Sequence, residues 1–202
     1  MHPTQSQLFA DHYNLLGLMR CLEAEIACYE ASQPWGAHLS VILDIFDYIQ
    51  FYPERYHHPL EDALFERLLI KQVKNSDQIW AIKSEHKTLE ALTRRASQLF
   101  TSVANDSVVP VAELVRVTRE FLARQIDHID RENRIVYPLL EKYITLEEWD
   151  EITAQVAQRK DPLFRQAVMD EYRNLYDAIL QAESALLLGP TARGIKKPAA
   201  AV

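Results

Sequence analysis

Residues 79–100 read Ile79-Trp-Ala-Ile82-Lys-Ser-Glu85-His86-Lys-Thr-Leu89-Glu-Ala-Leu-Thr93-Arg-Arg-Ala96-Ser-Gln-Leu-Phe100. Ile79, Ile82, His86, Leu89, Thr93, Ala96 and Phe100 recur at a mean spacing of about 3.5 residues, which lays them along one narrow helical stripe. A strand would need alternation with period two over a much shorter run. The segment therefore predicts a long helix facing other helices along a single seam, with one histidine in a seam that is otherwise apolar or small.

Two more segments repeat the pattern. Near the N-terminus the stripe is Leu8, His12, Leu15, Met19, Leu22, Ile26 and Tyr29; further on, the seven-residue series is Leu114, Phe121, His128 and Ile135. Each again carries one histidine where an aliphatic residue is expected. Such narrow stripes fit an elongated bundle, and the four glycines in 202 residues leave little material for the tight turns of sheet folds. The expected fold is all-α: an up-down-up-down four-helix bundle with two additional C-terminal helices.

Breaks at proline, glycine and polar clusters set six segments. The first runs from about Gln5 to Ala31 behind a Thr4/Gln7 capping box. The second runs from near Trp35 to Ile70, kinked or interrupted by Pro53 and Pro59. The third spans Asp77–Val103 behind Ser76 as N-cap. The fourth has Pro110 in its first turn and runs to Tyr137, where Pro138 disturbs it. The fifth starts behind a Thr145/Glu148 capping box and ends near Lys160. The sixth opens with Asp161-Pro162 and reaches Leu188, where Gly189-Pro190 stops it. The domain reading is 1–143 for the bundle, 144–188 for a helical extension packed on it, and 189–202 for a mobile tail. The sixth segment's apolar face (Leu163, Phe164, Ala167, Val168, Tyr172, Leu175, Tyr176, Ile179, Ala182, Leu186) is wide enough to require a partner surface. It is expected on the outside of the bundle, with a homodimer through this region as an extension of that reading.

Composition removes several function classes. A net charge of −7, with the basic run Lys196-Lys197 confined to a Pro/Ala-rich tail, argues against nucleic acid, which normally needs a basic face. No apolar run approaches the ~20 residues of a membrane span. The start, Met1-His2-Pro3, lacks a basic-then-apolar leader pattern, so the expected location is the cytoplasm. Cys21 and Cys28 lie about 10 Å apart on one helix, too far for a mutual disulfide, and are expected as small buried apolar side chains. No phosphate loop or nucleophile elbow occurs. The run Phe46, Tyr48, Phe51, Tyr52 and Tyr56 is read as packing, with Tyr56 an expected hydrogen-bond donor beside the site.

The histidines carry the chemistry. With each residue advancing about 1.5 Å along antiparallel neighbours, His12, His57, His86 and His128 fall at one height of the bundle. His57 is followed by Glu61 and His128 by Glu132, each at i, i+4 and so on the same helix face. Buried carboxylates are costly unless paired or bound to a cation. Four imidazoles and two carboxylates in an apolar interior fit a transition-metal site, the carboxylates favouring iron or manganese and allowing two metals to be bridged. His58 points about 100° from His57 on a regular helix, but the prolines disturb the backbone there, so it stays a candidate ligand. His2 and His38 have no such partners. A ferritin-like carboxylate bundle would need two Glu-x-x-His motifs. Only Glu54-Arg-Tyr-His57 fits, and Gln125 stands where the second Glu is required. Zinc remains an option, although a closed structural zinc site takes four ligands and six or seven are offered here.

The segments at Asp11-His12, His57-His58-Pro59-Leu60-Glu61, Glu85-His86 and His128 to Glu132 resemble the hemerythrin-like, HHE cation-binding family over about Gln5–Lys142. The resemblance implies a four-helix bundle around two non-haem iron ions. By that likeness the ligands are His12, His57, Glu61, His86, His128 and Glu132, with the two glutamates bridging. Oxygen-carrying hemerythrins have two histidines four residues apart on the third helix. Here Ile82 and Glu90 flank His86, so one imidazole is missing unless His58 replaces it. That shifts the expectation from O2 carriage towards sensing, iron handling or oxidative chemistry. Three functions follow: a module binding or sensing O2, NO, peroxide or a similar small redox signal; an iron-dependent oxidoreductase or repair protein; and an interaction bundle with a structural metal. No flavin, haem or cysteine-based electron-entry motif is evident, which tilts the reading towards the first.

Overall fold

The computed structural model describes residues 2–31, 37–157, 161–164 and 172–188, the last six of these as backbone only. Among the described residues all regular structure is helical. In chain order the helices are α1 (Pro3–Glu30), α2 (Leu39–Phe51), α3 (His58–Ile70), α4 (Ser76–Ala104), α5 (Val111–Arg131), α6 (Tyr137–Tyr143), α7 (Leu146–Gln155) and α8 (Arg173–Leu188). α1 packs on α5, α5 on α4, α4 on α2 and α3, and α2 back on α1, closing a bundle. No described helix is long and apolar enough to cross a membrane.

Proline decides where two of the walls change from α to π geometry. A five-residue π turn, Pro53–His57, joins α2 to α3, and another, Glu132–Val136, joins α5 to α6. Proline donates no N–H, and in a regular helix its ring collides with the carbonyl four residues back. Pro59 and Pro138 would meet the carbonyls of Arg55 and Arg134, each inside one of the π turns. The widened turn relieves the conflict, with His58 N–H bonding to Pro53 O and Tyr137 N–H to Glu132 O. The extra residue also shifts phase. Leu114, Phe121 and His128 are buried as the heptad predicts, but the next core position belongs to Val136, and Ile135 is only partly buried.

All seven stripe residues of α1 and all seven of α4 are buried. Their histidines interrupt an apolar core that divides into two clusters. One holds Leu15, Met19, Phe46, Tyr52, Phe121 and Ile129; the other holds Leu8, Leu60, Phe65, Ile82, Val136 and Tyr137. His12, His57, His86, His128 and Glu132 each lie in sequence between members of the two clusters, so a polar layer crosses the bundle.

Several expected boundaries move. α1 begins at Pro3 with the His2 side chain capping it, Nδ1 accepting from Thr4 N, in place of a Thr4/Gln7 box. Gln7 Nε2 instead donates to Asp11 Oδ1 at 2.7 Å. The cap of α4 is Asn75, held at φ 70°, while Ser76 Oγ donates to Val73 O. Pro110 is the residue before α5 rather than inside its first turn. The Thr145/Glu148 capping box forms as expected, but α7 stops at Gln155; Lys160 lies outside the described residues, as does Trp35. Cys21 is buried and Cys28 partly exposed, and both are free thiols.

α7 buries Trp149 and Ile152 against the α3 side. Arg67 donates to Glu148 (3.0 Å) and Glu151 (3.2 Å), and Lys71 pairs with Glu148. Asp161 Oδ1 accepts from the backbone N–H groups of Leu163 and Phe164, in the manner of a helix cap, but residues 162–164 form bends and the described helix begins only at Arg173. α8 lies on α1 and α2, with Leu175 and Ile179 fully buried there. Ala167, Val168, the Leu186 side chain and the 189–202 tail fall outside the described residues.

Candidate metal centre

α1 carries His12 into the polar layer. The first π turn and the start of α3 carry His57, His58 and Glu61; α4 carries His86; α5 and the second π turn carry His128 and Glu132. All seven are at least 96 % buried. They fall into three overlapping groups, each compact enough to share one cation: His12, His57 and Glu61; His58, Glu61 and His86; and His86, His128 and Glu132.

The two glutamates tie the groups together. Glu132 Oε2 lies 3.2 Å from His12 Nε2, while its Oε1 lies 3.1 Å from His128 Nε2 and 3.3 Å from His86 Nε2. Glu61 Oε1 lies 3.3 Å from His12 Nε2, and its Oε2 lies 3.3 Å from His57 Nε2 and 3.6 Å from His86 Nε2. Each carboxylate thus spans two sets of imidazoles. Yet Glu61 Oε2, Glu132 Oε2, His128 Nε2 and His58 Nδ1 are buried without a hydrogen-bond partner. Orphaned buried polar atoms cost about 1–3 kcal/mol each. Four of them together in one layer are what a chain built to hold a cation presents, so the residues fit a metal.

His58 enters the layer because the π turn replaces the regular geometry on which the 100° angle rests. Its ring stacks on His86 at 4.3 Å with 6° between planes. Burial and the neighbouring charges of His86 and His57 push its pKa well below the ordinary value, leaving a neutral imidazole. His12 and His86 behave oppositely. Burial alone would hinder their charging, but the adjacent carboxylates outweigh it: Glu132 and Glu61 for His12, Asp62 and Glu132 for His86. Their pKa values rise to about 9 and about 10. Glu61 and Glu132 are held ionised, below the carboxylate range, because the surrounding imidazoles outweigh their burial.

A ring of acceptors behind the histidines aims them inward. Asp11 Oδ2 accepts from His57 Nδ1 (3.0 Å), Asp62 Oδ1 pairs with His86 Nδ1 (2.8 Å), Glu85 Oε2 with His128 Nδ1 (3.1 Å), and Asn133 Oδ1 with His12 Nδ1 (2.9 Å). With Nδ1 engaged, Nε2 is the atom that each of the four turns towards Glu61 or Glu132, the usual arrangement behind metal-bound histidine. The acids of the Asp11-His12 and Glu85-His86 pairs serve histidines on other helices rather than their sequence neighbours. Arg131 donates to Glu85 at the rim.

Tyr137 also reaches the layer. Its hydroxyl donates to Glu61 Oε1 at 2.7 Å and lies 3.2 Å from His12 Nε2, with its ring stacked on His12. The phenols at the site are Tyr137 and, behind Asp11, Tyr52. Tyr56, the donor expected from sequence, is half-buried against Phe51 and Tyr52. A cavity of about 240 Å3 lined by Gln7, Asp11, Tyr52, Tyr56 and His57 opens behind His57.

The helical fold and the buried His/Glu layer together define a cation-binding bundle. The family model of the hemerythrin HHE cation-binding domain matches residues 5–140, and the chain belongs to that family. Comparison with curated proteins gives no match.

Proposed function

We propose that the chain is a non-haem di-iron protein that binds or senses O2 or another small diatomic or redox signal. The observation that carries the reading is the pair of fully buried glutamates, each spanning two sets of imidazoles while keeping an unpartnered oxygen in the layer between them. Such a donor set suits two cations bridged by carboxylate better than one. In this reading the ring of helices is an up-down-up-down bundle, and residues 1–143 supply every ligand.

His12 and His57 would hold one ion, and His86, His128 and His58 the other, with Glu61 and Glu132 shared. His58 then supplies the imidazole that α4 lacks beside Ile82. Bound iron would supply a redox-active Lewis acid with positions exchangeable for O2, NO or peroxide. Asp11, Asp62, Glu85 and Asn133 hold the ligand tautomers, Tyr137 steadies Glu61, and the two apolar clusters exclude bulk water. Manganese and zinc suit many of the same donors, so metal identity is part of the test.

The test is anaerobic ferrous loading followed by metal analysis, then addition of O2, NO or peroxide under optical detection. Two irons per chain and a saturable, stoichiometric spectral change are expected. Steady-state consumption of the oxidant with a reductant would move the assignment to an oxidoreductase. A site that fills only with zinc would reduce the metal to a structural role.

A further inference from the structure

Tyr52, Tyr48 and Tyr172 form a connected series leading away from the layer. Tyr52 OH lies 3.3 Å from Asp11 Oδ2, the same oxygen that accepts from His57. Its ring stacks on Tyr48 at 6.0 Å, and Tyr48 meets Tyr172 edge-on at 5.7 Å. Each hydroxyl donates to a carboxylate: Tyr52 to Asp11, Tyr48 to Asp161 at 3.1 Å, and Tyr172 to Asp47 at 3.1 Å. Asp47 is exposed, so the series runs from behind a candidate metal ligand to solvent.

A phenol that loses an electron becomes a strong acid, so one-electron oxidation is practical only where a base accepts the proton across an existing hydrogen bond. Packing alone explains buried rings; it does not require a carboxylate at every hydroxyl. Burying the Asp161 carboxylate is itself costly and is offset by two backbone N–H groups besides Tyr48. Burial raises the Asp161 pKa, which makes it the better proton acceptor.

We infer that Tyr52, Tyr48 and Tyr172 are an electron-entry route between solvent at Asp47 and the metal centre, with Asp161 taking the Tyr48 proton. The inference rests on the iron reading above and supplies the electron path that no sequence motif provides. In balance, one hydrogen peroxide, two solvent protons, one ferrous ion and the hydrogen-bonded Tyr48–Asp161 pair give two waters, one ferric ion, a Tyr48 phenoxyl radical and protonated Asp161. The peroxide O–O bond breaks; one electron comes from iron and one from the phenol, crossing Tyr52. An ene-diol reductant such as ascorbate then returns an electron through Tyr172, and the proton moves back from Asp161.

The full chain, loaded anaerobically with one ferrous equivalent, is mixed with peroxide and freeze-quenched for electron paramagnetic resonance. A free-radical signal that narrows when the protein carries ring-deuterated tyrosine is expected. It should be lost in Tyr48→Phe and Tyr52→Phe although ferric ion still forms, and in Tyr172→Phe it should persist longer against ascorbate. Asp161→Asn, which keeps the packing volume, should also lose it and decides the matter if Tyr48→Phe fails to fold. Iron that binds and oxidises without a deuterium-sensitive radical overturns the route and leaves the metal reading standing. So does a signal surviving in Tyr48→Phe, which would put the radical on another tyrosine such as Tyr137. A chain that takes no iron overturns both.

Discussion

His58 and Tyr137 hold equivalent stations in two different walls of the bundle. Each is the first residue after a five-residue π turn, each bonds its N–H to the carbonyl five residues back, and each is followed by proline. One delivers an imidazole beside Glu61 and His86; the other delivers a phenol to the same Glu61. The same local answer to a proline thus serves both sides of the metal layer.

Under the proposed di-iron function, His58→Ala is expected to cost the loaded chain one of two metal equivalents and to change the ferric absorption as strongly as His57→Ala does. Metal analysis with optical spectra checks this. Full metal content and an unaltered spectrum would remove His58 from the ligand set.

Asp11→Ala removes the acceptor that turns His57 Nε2 towards Glu61. Loss of such an orienting partner typically weakens metal binding by about 10–100-fold. Competitive metal titration should give that weakening with the helical circular dichroism retained; wild-type affinity would show that the imidazole is positioned by packing alone.

The pH behaviour has a definite sign. With pKa values raised to about 9 and about 10, His12 and His86 are charged at pH 7 in the metal-free chain. Their contribution to stability is full below the unfolded value of about 6.5 and is lost as pH rises through 9 to 10. The thermal midpoint of metal-free protein should fall across that upper window. A metal must displace these protons, so affinity should rise with pH and loading at pH 7 should release them. Calorimetry in buffers of different ionisation enthalpy counts the release, to which the already neutral His58 adds nothing.

Trp149 is 2 % exposed and stacks on His2 at 5.3 Å, fastening α7 near the start of α1. Trp149→Ala is expected to cost about 3–5 kcal/mol. Denaturant melts measure the cost, and metal stoichiometry should stay at the wild-type value because every candidate ligand precedes α7. A folded variant that no longer binds metal would reveal a supporting role for this helix.

Much of this was legible in the residues. The stripes of α1 and α4 need only a repeating period, and each of their positions is buried; the four histidines and two glutamates follow from the same register. The 100° separation of His57 and His58 assumed a regular helix, and the proline that made the angle doubtful is what removes it. Asn133 and Tyr137 left no pattern, because their role depends on the phase change at residues 132–136 and on which helix lies opposite. Asp11 and Glu85 stood out beside histidines, but their partners, His57 and His128, lie on other helices and are set by packing rather than by adjacency in sequence. The Thr4/Gln7 cap failed because Pro3 is already helical and the ring of His2 takes the cap position.

The π turns also bear on how chain length can vary. Removing one residue from 53–57 or 132–136 would restore ordinary α repeats and rotate everything downstream by about 100°. Upstream packing would be intact, yet Glu61 on one wall, or Tyr137 on the other, would swing out of the layer. These helices therefore carry a fixed residue count between their two apolar clusters. The turn at 105–107, far from any ligand, carries no such constraint, and an insertion there only lengthens a loop.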